Sequence, residues 1–259
     1  MAPGPGGLAR CWHCAETPAC VAPTESLVEN IARVRERIAR AEQAADRAPG
    51  SVTLVAVSKT QPVEQVAAAI RAGLADLGEN RVKEAVPKMT AVAGATVRWH
   101  LIGHIQSRKA REVTAGGFAL IHSVDSAGLA DRLSQLALAA ETRLPVLLEC
   151  NVSGEVTKSG FGAADADQWP DLVPEMRLVA GLRGLEVRGL MTMAPVVARP
   201  DEARPVFERL RRLRDFLAAR LDCEPWPNLS MGMTDDFEAA IAEGATLVRI
   251  GRAIFGERQ

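Results

Sequence analysis

An eightfold alternation of short apolar strands with helical segments restricts the fold of this chain more than any other feature. The strand patterns are V-T-L-V-A-V-S-K at 52–59, L-A-D-L-G-E at 74–79, V-R-W-H-L-I-G at 97–103 and F-A-L-I-H-S-V at 118–124. They continue as L-P-V-L-L-E-C-N-V at 144–152, L-E-V-R-G-L-M-T-M at 185–193, N-L-S-M-G-M at 228–233 and T-L-V-R-I-G at 246–251. A helical pattern follows each of the first seven, and a short turn or helix follows the eighth. Strands alternating with helices at this spacing imply parallel pairing through right-handed crossovers. Eight units close a barrel, whereas an open doubly wound sheet more often stops at five or six, and no G-x-G-x-x-G follows the first strand. Before the first strand, Leu27, Ile31, Val34 and Ile38 recur at helical spacing, with Thr24 or Ser26 as cap and Pro49-Gly50 as stop. The fold class expected is therefore α/β, a (β/α)8 TIM barrel with one preceding N-terminal helix.

That barrel absorbs residues 24–259 as a single domain. Residues 1–23 are rich in Pro and Gly and read as a disordered extension. Three cysteines fall there, Cys11, Cys14 and Cys20, with His13 between the first two. A zinc site wants a second ligand pair at a set spacing, and none follows. With Cys150 and Cys223 the count is five, odd and without a disulfide framework, and the opening M-A-P-G-P-G-G does not read as a secretory signal. A reducing, cytoplasmic compartment is expected. No run approaches 18 apolar residues, so no membrane helix is expected. The 31 basic and 32 acidic side chains nearly cancel, which disfavours a nucleic-acid surface. The R-L-R-R-L-R run at 209–214 carries Leu210 and Leu213 and reads as the solvated face of a helix. His100, His104 and His122 form no recognised metal motif.

In such a barrel chemistry gathers at the C-terminal ends of the strands. Lys59 shares a strand face with Val55 and Val57, so it enters the mouth if that face lines the barrel. Desolvation there would depress its pKa and make it a nucleophile for a carbonyl. The alternative is a lysine reaching from a strand end to solvent. The segments L-S-M-G-M-T-D-D and R-I-G-R-A-I-F-G put glycines and hydroxyls at the seventh and eighth strand ends, where barrels often bind phosphate. Ser230 and Thr234 offer hydroxyls, and Gly232 and Gly251 allow close backbone approach; ordinary turns would use the same residues. Asp235-Asp236 reads as helix capping turned away from an anion. Arg249 lies inside the last strand, where a charge needs a ligand or a partner. Donation to a pyridine nitrogen would keep that nitrogen unprotonated; the alternative is a salt bridge to Glu79 or Glu149. Lys158 is a further candidate contact for a phosphate or carboxylate, in a glycine-bearing loop that reads either as a lid or as an ordinary loop.

The segments V-A-V-S-K-T, G-E-N-R-V-K-E, W-H-L-I-G-H-I-Q-S-R-K, I-H-S-V-D, N-V-S-G-E-V-T-K-S-G-F, R-G-L-M-T-M, L-S-M-G-M-T-D-D and V-R-I-G-R-A-I-F-G resemble the YggS/PROSC family of pyridoxal-phosphate homeostasis proteins. The resemblance runs from about Thr24 to Phe255. It implies the barrel of the alanine racemase N-terminal domain and pyridoxal 5'-phosphate held as a Schiff base on Lys59. It further implies phosphate binding by Ser230, Gly232, Thr234, Gly251 and Arg252, Arg249 beside the pyridine nitrogen, and Asn80 and His104 in the pocket wall. Cofactor homeostasis without robust turnover is the implied function, with no catalytic residue, a monomer, and apo pyridoxal-phosphate enzymes as partners. An amino-acid racemase or another pyridoxal-phosphate enzyme is the competing reading, as is a Schiff-base aldolase acting on a phosphorylated substrate. One departure stands out: Arg81 occupies a position where the family often has tyrosine, and the chain contains no tyrosine at all.

Overall fold

The computed structural model describes residues 24–221 and 225–256. The expected extension 1–23 and Cys223 lie outside the described residues. Helix α1 (Glu25–Ala44) comes first. Eight parallel strands follow: β1 (Thr53–Val57), β2 (Asp76–Glu79), β3 (Arg98–Leu101), β4 (Leu120–Val124), β5 (Leu144–Asn151), β6 (Leu185–Met191), β7 (Asn228–Ser230) and β8 (Leu247–Ile250). Each pairs with its neighbours in order, and β8 returns to β1, with Val55 opposite Arg249. The sheet is a closed barrel, as the eightfold pattern requires. The outer ring is α2 (Val63–Arg71), α3 (Val82–Ala91), α4 (Ala110–Thr114), α5 (Ala127–Ala139), α6 (Trp169–Ala180), α7 (Arg204–Leu221), α8 (Phe237–Ala242) and α9 (Arg252–Phe255).

Alternation along the strands divides the core in two. Outward-facing apolar residues meet the helices in one large cluster, while Val55, Leu120, Leu147, Met191 and Leu247 fill part of the barrel interior. Helix α1 buries Leu27, Ile31, Val34 and Ile38, the stripe that its sequence spacing indicates. Thr24 caps it by accepting from the Leu27 N–H. Asn30 donates to the Ile254 carbonyl, 224 residues away, and so pins α1 across the seam where β8 meets β1. Among the described residues no helix is long and apolar enough to cross a membrane. The strands end sooner than their apolar patterns suggest. β1 stops at Val57, β3 at Leu101, β6 at Met191 and β7 at Ser230. The overrunning residues form the rim.

Candidate functional site

Lys59 lies in the turn just beyond β1. Ser58, on the outward face, is fully buried and donates its hydroxyl to Glu79 outside the barrel at 2.7 Å. Were the alternation of β1 to run on to the turn, Lys59 would fall on the interior side with Val55 and Val57. Thr60, which follows, has φ +65°, a left-handed conformation unusual for a β-branched residue.

Beside Lys59 stand the loops after β7 and β8. Gly232 has φ +91°, and a Cβ there would lie 2.7 Å from Ala240 Cβ, so only glycine fits this bend. The Gly232 carbonyl accepts from the Arg249 N–H at 3.0 Å, locking the bend to β8. Thr234 is half-buried in the same loop, and Gly251 precedes α9 against Val57. The acidic pair behaves differently from the capping role read in the sequence. Asp236 occupies the position before α8 but makes no side-chain cap bond to it; its Oδ1 accepts from the Met233 N–H at 2.6 Å instead. Asp235 forms an ion pair with Arg252, so the Arg252 guanidinium is engaged at the rim. Its backbone remains beside Gly251.

Beneath the mouth runs a chain of buried side chains across the barrel. Arg249 NH1 donates to Ser230 Oγ at 2.6 Å, and NH2 donates to the Thr192 carbonyl at 2.9 Å. Ser230 Oγ lies 2.8 Å from His122 Nδ1, and His122 Nε2 lies 2.9 Å from His100 Nδ1. His100 Nε2 reaches Asp76 Oδ1 at 3.0 Å, and Arg98 grips Asp76 through two nitrogens. One direction of donation satisfies every member: Arg249 to Ser230, Ser230 to His122, His122 to His100, His100 to Asp76. Both imidazoles are then neutral. Burial pushes His122 well below the ordinary histidine value, with the adjoining His100 ring and the Arg249 guanidinium acting the same way. Burial alone would raise Asp76, but the bonds from His100 and Arg98 outweigh it and hold the carboxyl low.

Neither salt bridge considered for Arg249 forms. Glu79 faces outward to Lys88, and Glu149, on the neighbouring interior face, acts only through its charge. Burial lowers Arg249 to about 10, which leaves it charged at neutral pH. A buried guanidinium held only by neutral acceptors, with donors to spare, is suited to a ligand acceptor.

On the opposite side of the rim, Gly103 lets β2 and β3 converge: a Cβ there would sit 2.4 Å from the Asn80 carbonyl. Asn80 and His104 line one cavity of about 480 Å³ together with Arg81, Lys83 of α3, Lys109, and Glu112 of α4; Lys59, Arg249 and the loops after β7 and β8 do not line it. His104 pairs with Asp125 at 3.0 Å. The expected lid is folded on itself. Asn151 binds the Glu155 and Lys158 carbonyls and accepts from Ser153 and Gly154. Lys158 donates to the Met193 carbonyl at 2.9 Å and pairs with Glu155. Within this loop a two-residue strand at Phe161–Gly162 pairs in parallel with Cys150 and Asn151 of β5, unmarked by any sequence periodicity. Among the described residues no group of three or more His, Cys, Asp or Glu is placed to hold a metal.

The chain thus brings together an amine, a glycine-lined bend with a hydroxyl, and a buried cation. Ser230 joins the cation below instead of standing free at the rim. The His100–His122 pair was missed by motif reading, because its members come from separate strands; their shared position near the strand centres is the only signal in sequence.

Residues 29–259 match the family model described as alanine racemase, N-terminal domain. The pyridoxal phosphate homeostasis protein of Pseudomonas aeruginosa is 45% identical over 233 residues, covering 90% of this chain and 96% of that one. Its Escherichia coli counterpart is 40% identical over 236 residues, covering 90% and 97%. Among solved structures, PipY of Synechococcus elongatus with PLP bound has a TM-score of 0.75 at 33% identity, covering 89% of this chain and all of that one. An alanine racemase of Clostridium difficile, at 14% identity and TM-score 0.67, shares the fold. With close to its full length aligned to such relatives, and the racemase-type barrel beneath, the chain belongs to the pyridoxal phosphate homeostasis protein family.

Proposed function

We propose that this protein holds pyridoxal 5'-phosphate at the barrel mouth as a Schiff base on Lys59 and serves in intracellular cofactor homeostasis without robust turnover. The observation that carries this reading is Arg249: buried, charged, held by neutral acceptors, and one strand from Lys59. When bound, the cofactor supplies a carbonyl for an amine, a phosphate for a cradle, and a ring nitrogen that accepts a hydrogen bond. The residues present fit those three demands. Lys59 is the amine. Gly232, Gly251 and the Arg252 backbone, with the Thr234 hydroxyl, form the cradle. Arg249 donates to the ring nitrogen and, having no acceptor of its own, keeps that nitrogen unprotonated. Ser230 acts by orienting Arg249, and Asn80 and His104 wall the β2–β3 side.

An arginine at that nitrogen weakens the ring as an electron sink, and the absence of tyrosine removes the phenol that a two-base racemase commonly uses. The cytoplasm, a monomeric state and transfer to apo-enzymes complete the reading. Incubation with pyridoxal 5'-phosphate should give an absorption band near about 420 nm. Borohydride reduction and mass spectrometry should place the adduct on Lys59, and Lys59→Ala should abolish it. An adduct on Lys88 or Lys158 in its place would sink the assignment. Chiral analysis should show no appreciable alanine racemisation.

A further inference from the structure

Directly behind Lys59, outside the barrel, lies a second buried polar cluster. Lys88 of α3 is 4% exposed, and Glu79 of β2 is fully buried. The Lys88 ammonium donates to the Ser58 carbonyl at 2.8 Å, to Glu79 Oε1 at 2.7 Å and to Glu84 Oε1 at 2.8 Å. Its three protons are all used. Glu84 Oε1 also accepts the Thr60 N–H, and Glu79 Oε1 also accepts the Ser58 hydroxyl. The residues on either side of Lys59 are therefore both tied to this cluster, one through its carbonyl and hydroxyl and the other through its amide.

Thr60 is the reason such a tether is needed. Its φ of +65° disfavours a β-branched side chain, and strain of this kind persists only where surrounding structure imposes it. Holding a fully buried and a half-buried carboxylate around one buried ammonium is itself unfavourable unless geometry is good. Glu79 Oε2 moreover has no partner among the described residues. Burial raises Glu79. Burial would raise Glu84 as well, but the bonds from Lys88 and Thr60 outweigh it and hold that carboxyl low. This demanding arrangement sits under the turn that carries the candidate Schiff-base lysine.

We propose that Lys88, Glu79 and Glu84 form a clamp that holds the Ser58–Thr60 turn in its left-handed form and thereby aims the Lys59 amine into the barrel mouth. Lys88 and Glu84 are positioning residues; neither touches the ligand. The consequence for the cofactor rests on the function proposed above, whereas the backbone effect does not.

Three variants test this: Lys88→Met, Glu84→Gln, and Lys88→Met combined with Thr60→Gly. The first readout is the sign of φ at Thr60, from NMR one-bond Cα–Hα couplings without ligand. It should be positive in the wild type and Glu84→Gln should move it toward the ordinary negative range, as Lys88→Met should more fully. The second is the rate of borohydride-trapped adduct formation with pyridoxal 5'-phosphate. It should fall roughly tenfold in Lys88→Met and recover at least in part with Thr60→Gly, since glycine adopts positive φ without strain. Glu84 is partly exposed, so Glu84→Gln reports on the clamp even if Lys88→Met does not fold. A Thr60 φ that stays positive in both folded single variants would overturn the clamp, as would failure of Thr60→Gly to recover any rate. If the wild type forms no adduct on Lys59, the cofactor reading fails while the Thr60 coupling still decides the clamp.

Discussion

The two buried polar clusters of this barrel solve opposite problems. The inner chain, Asp76–His100–His122–Ser230–Arg249, joins five strands through contacts that leave both imidazoles neutral. The outer cluster, Ser58–Glu79–Lys88–Glu84, packs three charges into one place and leaves an oxygen unpartnered. The first shares a rigid frame and holds a single cation steady. The second works against the preference of the backbone at Thr60. A polar network inside a rigid sheet can relay orientation at little electrostatic expense, while one that bends a turn needs strong, charged contacts.

Removing a charge should separate them most clearly. Lys88→Met leaves two carboxylates without their ammonium and should lower stability by about 3–5 kcal/mol, measured by denaturant unfolding. Ser230→Ala should cost less, about 1–3 kcal/mol, because it strips one hydroxyl from between Arg249 and His122. If Ser230→Ala proves the more damaging, the inner chain is the more strained of the two. The pH dependence should differ in sign and be smallest. His122 stays neutral when folded but gains a proton on unfolding below pH 6.5, so it withdraws stability as the solution becomes acidic. Glu79, raised by burial, is protonated more readily when folded; its contribution fades as pH rises through 4.5 toward its elevated value. His122→Gln should therefore flatten the acid-side loss of stability, and Glu79→Gln the opposite slope, each by at most about 1.4 kcal/mol per pH unit. Melting curves across pH 4–7 for both variants would show whether the signs hold.

Sequence periodicity carried the barrel, the leading helix and the position of nearly every element, because the two faces of a strand or helix meet different surroundings. It failed at the strand ends. Ile102 and Met231 continue the apolar pattern one residue past the strand ends, each still bonding its N–H to the neighbouring strand, so pattern alone runs into the rim. Parity puts Lys59 on the face of Val55 and Val57, the side that the proposed function requires. The environment of Arg249 was half legible: its need for a partner follows from its place in a strand, but the choice among Glu79, Glu149 and Ser230 depends on which faces converge across the barrel. Glu79, one residue from the mouth, faces away from it. The His100–His122 contact and the clamp on Thr60 join elements whose pairing no local signal encodes.

The parallel pairing of β1 with β8 has a consequence for biosynthesis. Lys59 arrives with the first strand and Arg249 with the last, and Val55 meets Arg249 only when the ring is shut. On the function proposed above, a growing chain that has left the ribosome as far as β7 carries the amine but lacks the cation and half of the cradle. Cofactor capture would then report on completed assembly, and chains truncated before β8 should not take up pyridoxal 5'-phosphate.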